Sequence, residues 1–488
     1  MRIQFIIPCF IAFIFMALPL TADEMESHVV KITVAYQSYD YNSPWQKRNV
    51  KKHTIAGCVI DGQRILTVSY SLVNHVFVEV TKKGGTRKYA AEVVVKDYHN
   101  GLAILKVKDK EFFSDLKAPE IFKGKSISAG KTMVYRWDRM GSFKKYSAEL
   151  NKSSIRFFNP KCGVLMHQFS TGMIKGGNGV PVFVNGKLAG ITTGADGKNK
   201  TIYVIGVDVI QRMLADLSDG TYEGYPFFWV KGVAIESDEG LREYLGMSKN
   251  DEGVLVTYVP AISSGAGSLK RNDVILSING VNINDNGMYQ SEKYGSLNYA
   301  GLLFLDKFVG DTIKMRVLRN KKKRDISFKL KQIPDNCCKI PLISYDSQPN
   351  YYILGGLIFQ ELSIGYMETW GAQWKQKANK RLLYWFENIT AIWAKPDINR
   401  IVVLNRVLPF PINNGYQGKR EIILEKVNGK KIKDLLDFKR IVGSLSSRFI
   451  RLDFIGGDTI ILDRKEVESS EAFLLRRYNI HSPFSIEN

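Results

Sequence analysis

Met173-Ile-Lys-Gly-Gly-Asn-Gly-Val-Pro-Val-Phe-Val-Asn-Gly-Lys-Leu-Ala-Gly-Ile-Thr-Thr-Gly194 is the stretch that decides the fold. It reads as a glycine-rich turn, a short apolar strand over residues 182–184, an Asn185-Gly186 turn and a second strand over 188–192. Asn-Gly between two apolar runs is a strong hairpin signal, because both central residues of the tight turn take positive φ. Working outward, residues 29–35, 57–60, 65–67, 75–80, 90–96 and 102–107 read as further short strands separated by turn residues. Little helical periodicity intervenes, so the first 220 residues predict an all-β barrel or sandwich.

The 488 residues exceed what one core supports and suggest about three domains. An apolar content of 45% and a charged content of 24% are ordinary for globular chains. The formal net charge of +21 is not, and it implies a weak attraction to anionic surfaces. The lysines are dispersed apart from Lys321-Lys322-Lys323-Arg324, and no zinc-finger, RNP or basic-helix pattern accompanies them. A specific nucleic-acid role is therefore not expected.

Arg2 followed by the apolar run 6–18 and the small residues of Leu20-Thr21-Ala22 reads as a cleavable signal peptide over residues 1–22. Export to a periplasm or cell envelope follows as an expectation. Cys9 lies too early for a lipoprotein site. Cys58, Cys162, Cys337 and Cys338 remain after cleavage, and their spacing specifies no disulfide framework. No CxxC or paired-histidine pattern is present, so neither a metal site nor a cofactor is expected.

Residues 43–46 (Ser-Pro-Trp-Gln), 57–67 (Gly-Cys-Val-Ile-Asp-Gly-Gln-Arg-Ile-Leu-Thr), 77–80, 102–105 and the 173–194 hairpin occur in this order. Together they resemble the protease domain of the Deg/HtrA (Do-like) serine proteases, especially the plant-type members with two PDZ domains. The resemblance implies a mainly β chain: a trypsin-like two-β-barrel domain over 23–220, a first PDZ domain over 225–333 and a divergent second PDZ-like domain over 340–488. It also implies a triad of histidine base, orienting aspartate and serine nucleophile beside an oxyanion hole. At the positions that match the family's motifs this chain has Tyr70 for the histidine, Gly101 for the aspartate and Asn178 for the serine. A tyrosine hydroxyl titrates near ~10 and is a poor base at neutral pH. Glycine has no carboxylate, and an amide nitrogen is no nucleophile. The expectation is a pseudoprotease, with Gly176, Gly177 and Gly179 as the remnant of the oxyanion loop.

A rewired site would draw on His75 or His99 with Ser69, Ser71, Ser170 or Thr171, none of which has the family's spacing. Cys58, inside an apolar strand, reads as a buried structural thiol. In the first PDZ domain, "Gly-Val-Leu-Val" at 253–256 and "Asn-Asp-Val-Ile-Leu-Ser-Ile-Asn-Gly" at 272–280 carry the resemblance. A PDZ domain adds a peptide to a sheet edge and captures its terminal carboxylate. That loop falls on Val230, Lys231, Gly232 and Val233. Lys231 stands where the family has an apolar residue, and it reads either as added attraction for a carboxylate or as a sign that the groove is not used. Phe227, Phe228 and Trp229 read as packing against a neighbouring domain. The second PDZ repeats the strand-plus-Asn-Gly pattern at 422–429, and assembly is the expected role there. Trp370, Trp374 and Trp385 fit a core or an interface.

The expected function is a scaffold or holdase that binds polypeptide segments or protein C-termini without cleaving them, as a homo-oligomer. The alternative is an active serine endopeptidase of envelope quality control. A third class, a basic protein engaging acidic polymers or lipid headgroups, would bind in a strongly salt-dependent way.

Overall fold

A computed structural model describes residues 22–486 except 125, 126, 128, 129, 139, 160, 161, 174–176, 236, 237, 333–338, 342–344, 372 and 389–398. Residues 1–21 of the signal peptide expected over 1–22, together with Gly176, Cys337 and Cys338, lie outside the described residues.

Two closed six-stranded barrels come first. The first comprises β1 (Val29–Tyr36), β2 (Lys51–Ile60), β3 (Arg64–Val68), β4 (His75–Lys82), β5 (Tyr89–Asp97) and β6 (Leu102–Val107), joined in the order β1-β2-β3-β6-β5-β4. The second comprises β7 (Thr132–Trp137), β8 (Phe143–Asn159), β9 (Cys162–Thr171), β10 (Pro181–Val184), β11 (Lys187–Asp196) and β12 (Thr201–Gly206), joined as β10-β11-β12-β9-β8-β7. Read in the opposite direction, this is the same path as the first barrel. Both barrels close because β-branched side chains alternate inward along each strand. Ile32, Val34, Ile65 and Leu105 fill the first, and Val134, Phe169, Val182 and Val204 the second, all fully buried. Each such side chain stabilises its barrel by about 1.5–3 kcal/mol relative to exposure.

The Asn185-Gly186 turn joins β10 to β11, with φ of 50° and 78° at its two residues. The sequence gives no comparable signal for the longest strand, β8. Its 17 residues mix Lys144, Lys145, Lys152 and Arg156 with isolated apolar positions. It forms because β9 pairs with it from Ala148 to Asn159, through two register shifts.

The helix Val207–Asp216 follows β12. Its Val209, Ile210 and Met213 enter one buried cluster with Leu66 and Ile104 of the first barrel, Ile191 and Ile205 of the second, and Ile275 and Phe304 of the next domain. Arg212 of the same helix is buried. It donates to the carbonyls of Lys307 (2.7 Å) and Gly224 (3.0 Å) and lies over the Tyr225 ring. The second barrel and the first PDZ domain therefore share a core.

That PDZ domain is an antiparallel sheet in the order Lys231–Ala234, Val254–Tyr258, Val274–Ile278, Thr312–Arg319, Lys322–Lys329. The fully buried carboxylate of Asp273 takes two hydrogen bonds from Arg319, both 2.7 Å, and one from the backbone of Lys270. In the Phe227–Trp229 cluster, Phe228 stacks on Phe328 and Trp229 meets Tyr258 edge-on within this domain, while Phe228 also belongs to the buried cluster shared with the barrels.

The second PDZ domain orders its strands as Thr459–Asp463, Phe449–Phe454, Ile422–Val427, Val402–Val407, Leu357–Glu361, Tyr351–Leu354, Phe484–Ser485. Trp374 is buried in a satellite cluster with Leu382, and Trp370 and Trp385 pack against it. Tyr41, from the β1–β2 loop, joins the same cluster, so these tryptophans serve both core and interface. The Tyr41 carbonyl accepts from Gln360 (2.6 Å) and Asn405 (2.8 Å), and Ser43 accepts from Arg406 (2.8 Å). Both contacts dock the first barrel on the second PDZ.

Candidate functional site

Tyr70, Gly101 and Asn178 converge at the junction of the barrels. Tyr70 sits on the single 3-10 turn Ser69–Leu72 that follows β3. Gly101 closes the turn between β5 and β6 at φ 80°, and its carbonyl accepts from the Ser69 backbone at 2.9 Å. Asn178 lies in the turn before β10, and its carbonyl accepts from the Ala56 backbone at 3.0 Å.

Each polar group here is committed to a structural partner. The Tyr70 hydroxyl donates to the Tyr98 carbonyl at 2.6 Å. The Asn178 amide donates to the Ser71 hydroxyl at 3.1 Å. Gly101 offers only backbone, and its N–H donates to the Asp97 carbonyl. The turn itself hangs on Thr192 of β11. The Thr192 hydroxyl accepts from the Val180 N–H (2.9 Å) and donates to the Gly177 carbonyl, and the Thr192 carbonyl accepts from the Gly179 N–H (2.8 Å). A Cβ at Gly179 would lie 2.0 Å from the Ala56 carbonyl oxygen, at φ 73°, so only glycine fits there. Gly177 and Gly179 thus keep the loop's shape, while the Gly179 N–H is turned to Thr192.

The residues of a rewired site are also engaged elsewhere. Ser69 donates to the Asp97 carbonyl (2.9 Å), Ser170 to Asn151 (3.0 Å) and Thr171 to the Ser147 carbonyl (2.9 Å). His75, at the start of β4, holds the Leu72 carbonyl at 3.0 Å; burial and the nearby Lys96 ammonium lower its pKa. His99 lies in the Asp97–Gly101 turn, its N–H 2.6 Å from the Asp97 carboxylate. Cys58 is a fully buried free thiol, and burial pushes its pKa up, away from a reactive thiolate.

Two features escape a reading of the sequence. Asp97 is a buried acid that accepts from the backbones of His99 and Asn100 and from the Tyr222 hydroxyl, which ties the β5–β6 turn to the linker. In addition, Tyr345 and Asp346, near the start of the second PDZ domain, lie against the Tyr70 and Tyr98 side of the first barrel. The rings of Tyr70, Tyr98 and Tyr345 pack mutually, with centroids 5.0–6.0 Å apart.

In the first PDZ domain, Val230 is buried and Lys231–Ala234 is an exposed strand at the sheet edge. A Cβ on Gly232 would meet Val254 at 2.6 Å, so the strand stays narrow there. In the second PDZ domain the corresponding place is filled. Strand Leu357–Glu361 pairs with the chain's own Tyr351–Leu354, and Phe438 of the helix Leu435–Gly443 packs on both through Tyr352 and Phe359. Among the described residues no cluster of three or more His, Cys, Asp or Glu is suited to a metal ion, and no helix is long and apolar enough to cross a membrane.

Two barrels of one topology, with Tyr70, Gly101 and Asn178 at their junction and PDZ sheets behind them, define a trypsin-like protease fold carrying PDZ domains. A family model described as "PDZ domain" (PDZ_3) matches residues 340–487. The chain is 25% identical to a putative mitochondrial protease Do-like 3 of Arabidopsis thaliana, over 94% of this chain and 79% of that one. It is 24% identical to the mitochondrial protease Do-like 4 of the same plant, over 93% and 84%. Among solved structures, an HtrA-type protease AlgWS227A with decapeptide superposes with a TM-score of 0.49 at 16% identity, covering 63% of this chain and 95% of that one. Over most of its length the chain is thus similar to Do-like (HtrA/Deg) proteases, with a PDZ domain over residues 340–487.

Proposed function

We propose that this protein binds polypeptides without cleaving them, through the exposed edge strand Lys231–Ala234 of its first PDZ domain. The observation that carries this reading is the Asn178 amide donating to Ser71. The group at the nucleophile's position acts as a donor in a structural bond to a hydroxyl, not as a nucleophile oriented by an imidazole. With Gly101 lacking a carboxylate and the Tyr70 hydroxyl bonded to a carbonyl, the general-base step has no agent. Polypeptide capture at a sheet edge needs none of these groups. The relatives' protease names favour a second reading, turnover at this site.

The test is casein hydrolysis and fluorophosphonate labelling by the purified mature protein, beside a Tyr70→His, Gly101→Asp, Asn178→Ser revertant. The expected wild type neither cleaves nor labels, while binding peptides with a free C-terminus. Labelling of any wild-type residue overturns the reading and identifies the nucleophile. Export is part of the same proposal: N-terminal sequencing of protein recovered from outside the cytosol is expected to begin at Asp23. The homo-oligomer is proposed from family resemblance and is checked by sedimentation of the mature chain.

A further inference from the structure

The segment that reaches Tyr70 makes more than a passing contact. Asp346 and Asn74 clasp each other: the Asn74 N–H donates to Asp346 Oδ1 at 2.7 Å, and the Asp346 N–H donates to Asn74 Oδ1 at 3.0 Å. Both residues hold positive φ, 53° and 68°, the left-handed conformation that Asn and Asp tolerate best. The second carboxylate oxygen takes the Lys96 ammonium at 2.6 Å and the Tyr98 hydroxyl at 2.5 Å. One carboxylate thus receives a backbone N–H, an ammonium and a phenol, all from the first barrel. Burial opposes its charge, but these donors hold the Asp346 carboxyl below the usual carboxylate range. The preceding ring, Tyr345, meets Tyr70 edge-on at 6.0 Å and Tyr98 at 5.0 Å.

We infer that Asn74, Lys96, Tyr98 and Tyr70 form a recognition site for an aromatic residue followed by an aspartate, filled here by the chain's own Tyr345-Asp346, and that the same site takes such a segment from another polypeptide. The chemistry separates into two parts. The packed pair of Tyr70 and Tyr98, with centroids 5.6 Å apart, presents an aromatic face against which a further ring sits edge-on, a preferred aromatic geometry. Beside it, three donors converge on a carboxylate, with Lys96 supplying the charge. A tyrosine rather than a histidine at position 70 is then a gain, because its ring supplies half of that aromatic face. The site is separate from the PDZ1 edge strand, and its occupancy is independent of whether the chain cleaves anything.

A ligand held in cis competes at an effective concentration of order millimolar for a short linker. The experiment uses the full mature chain carrying Tyr345→Ala and Asp346→Ala, which uncovers the site without touching the barrel. A fluorescent peptide copying residues 341–350 is titrated by anisotropy. It is expected to bind this variant at least tenfold more tightly than wild type. Peptide in which the aspartate is replaced by asparagine is expected to bind at least fivefold more weakly, and Lys96→Met in the emptied variant to abolish binding. Equal affinity for wild type and emptied variant, no binding by an emptied variant that melts like wild type, or indifference to the Asp→Asn change each overturn the inference. Should the emptied variant fail to fold, limited proteolysis around residue 345 in wild type and in Lys96→Met decides: faster cutting in Lys96→Met is expected, and equal rates refute the clasp.

Discussion

Thr192→Val tests whether the turn that holds Asn178 is maintained by a single side chain. Valine replaces the hydroxyl with a methyl of similar size, so no cavity opens around this fully buried position. What disappears is the bond accepted from the Val180 N–H and the bond donated to the Gly177 carbonyl. Each leaves a buried backbone group without its partner, at about 1–3 kcal/mol apiece, so the local loss is at least about 2 kcal/mol. The backbone bonds between Gly179, Val180 and Thr192 survive the change, which confines the damage to the turn. Because several domains share this chain, a global denaturation curve mixes transitions. The assay is therefore native-state hydrogen exchange, read by mass spectrometry on peptides spanning 177–192. A loss of about 2 kcal/mol accelerates exchange by roughly thirtyfold. Thr192→Ser, which restores the hydroxyl, should recover most of the protection. Exchange within threefold of wild type in Thr192→Val would show that the backbone alone sets the turn and refute the argument.

Arg319→Met leaves the Asp273 carboxylate buried with only the Lys270 N–H, and unfolding of the first PDZ domain should become easier by about 3–5 kcal/mol in urea titrations read from that domain. Gly179→Ala should be worse tolerated than Thr192→Val, because its Cβ meets the Ala56 carbonyl; soluble yield and thermal midpoint report it. His167 is fully buried, and burial, with Lys293 adding to it, pushes its pKa down to about 3. A depressed histidine keeps its native state neutral while the unfolded chain takes up a proton, so its contribution is complete above the unfolded value of about 6.5 and is lost as pH falls toward 3. Thermal midpoints measured from pH 7 to pH 4 should fall less steeply in His167→Gln than in wild type.

The parts of the fold that were legible had local causes. Asn185-Gly186 can close only a tight turn of positive φ, and the run 102–107 is apolar apart from the exposed Lys106, so both were readable without neighbours. Strand β8 was not, because its alternation is masked by lysines on a half-exposed hairpin and its pairing is imposed by β9. At the candidate site, Tyr70, Gly101 and Asn178 were placed by motif, and the structure brings them to one junction. Thr192 carried no signal, since a buried threonine in a strand looks like any β-branched residue. Tyr345 and Asp346 could not have been found: Asp346 and its partner Asn74 are separated by 272 positions, and no local pattern encodes such a contact.

The short strand Phe484–Ser485 covers the outer side of Tyr351–Leu354, with the Tyr351 hydroxyl fastened to the Ser482 carbonyl at 3.0 Å. Without it, the remaining seven strands of the sheet would end in a bare apolar strand, which is a template for joining one molecule to the next. Two residues of pairing are therefore what stands between a self-contained clamp and a chain-growth polymer. Clipping residues 481–486 would be expected to turn a well-behaved solution into fibres or precipitate while leaving the barrels folded.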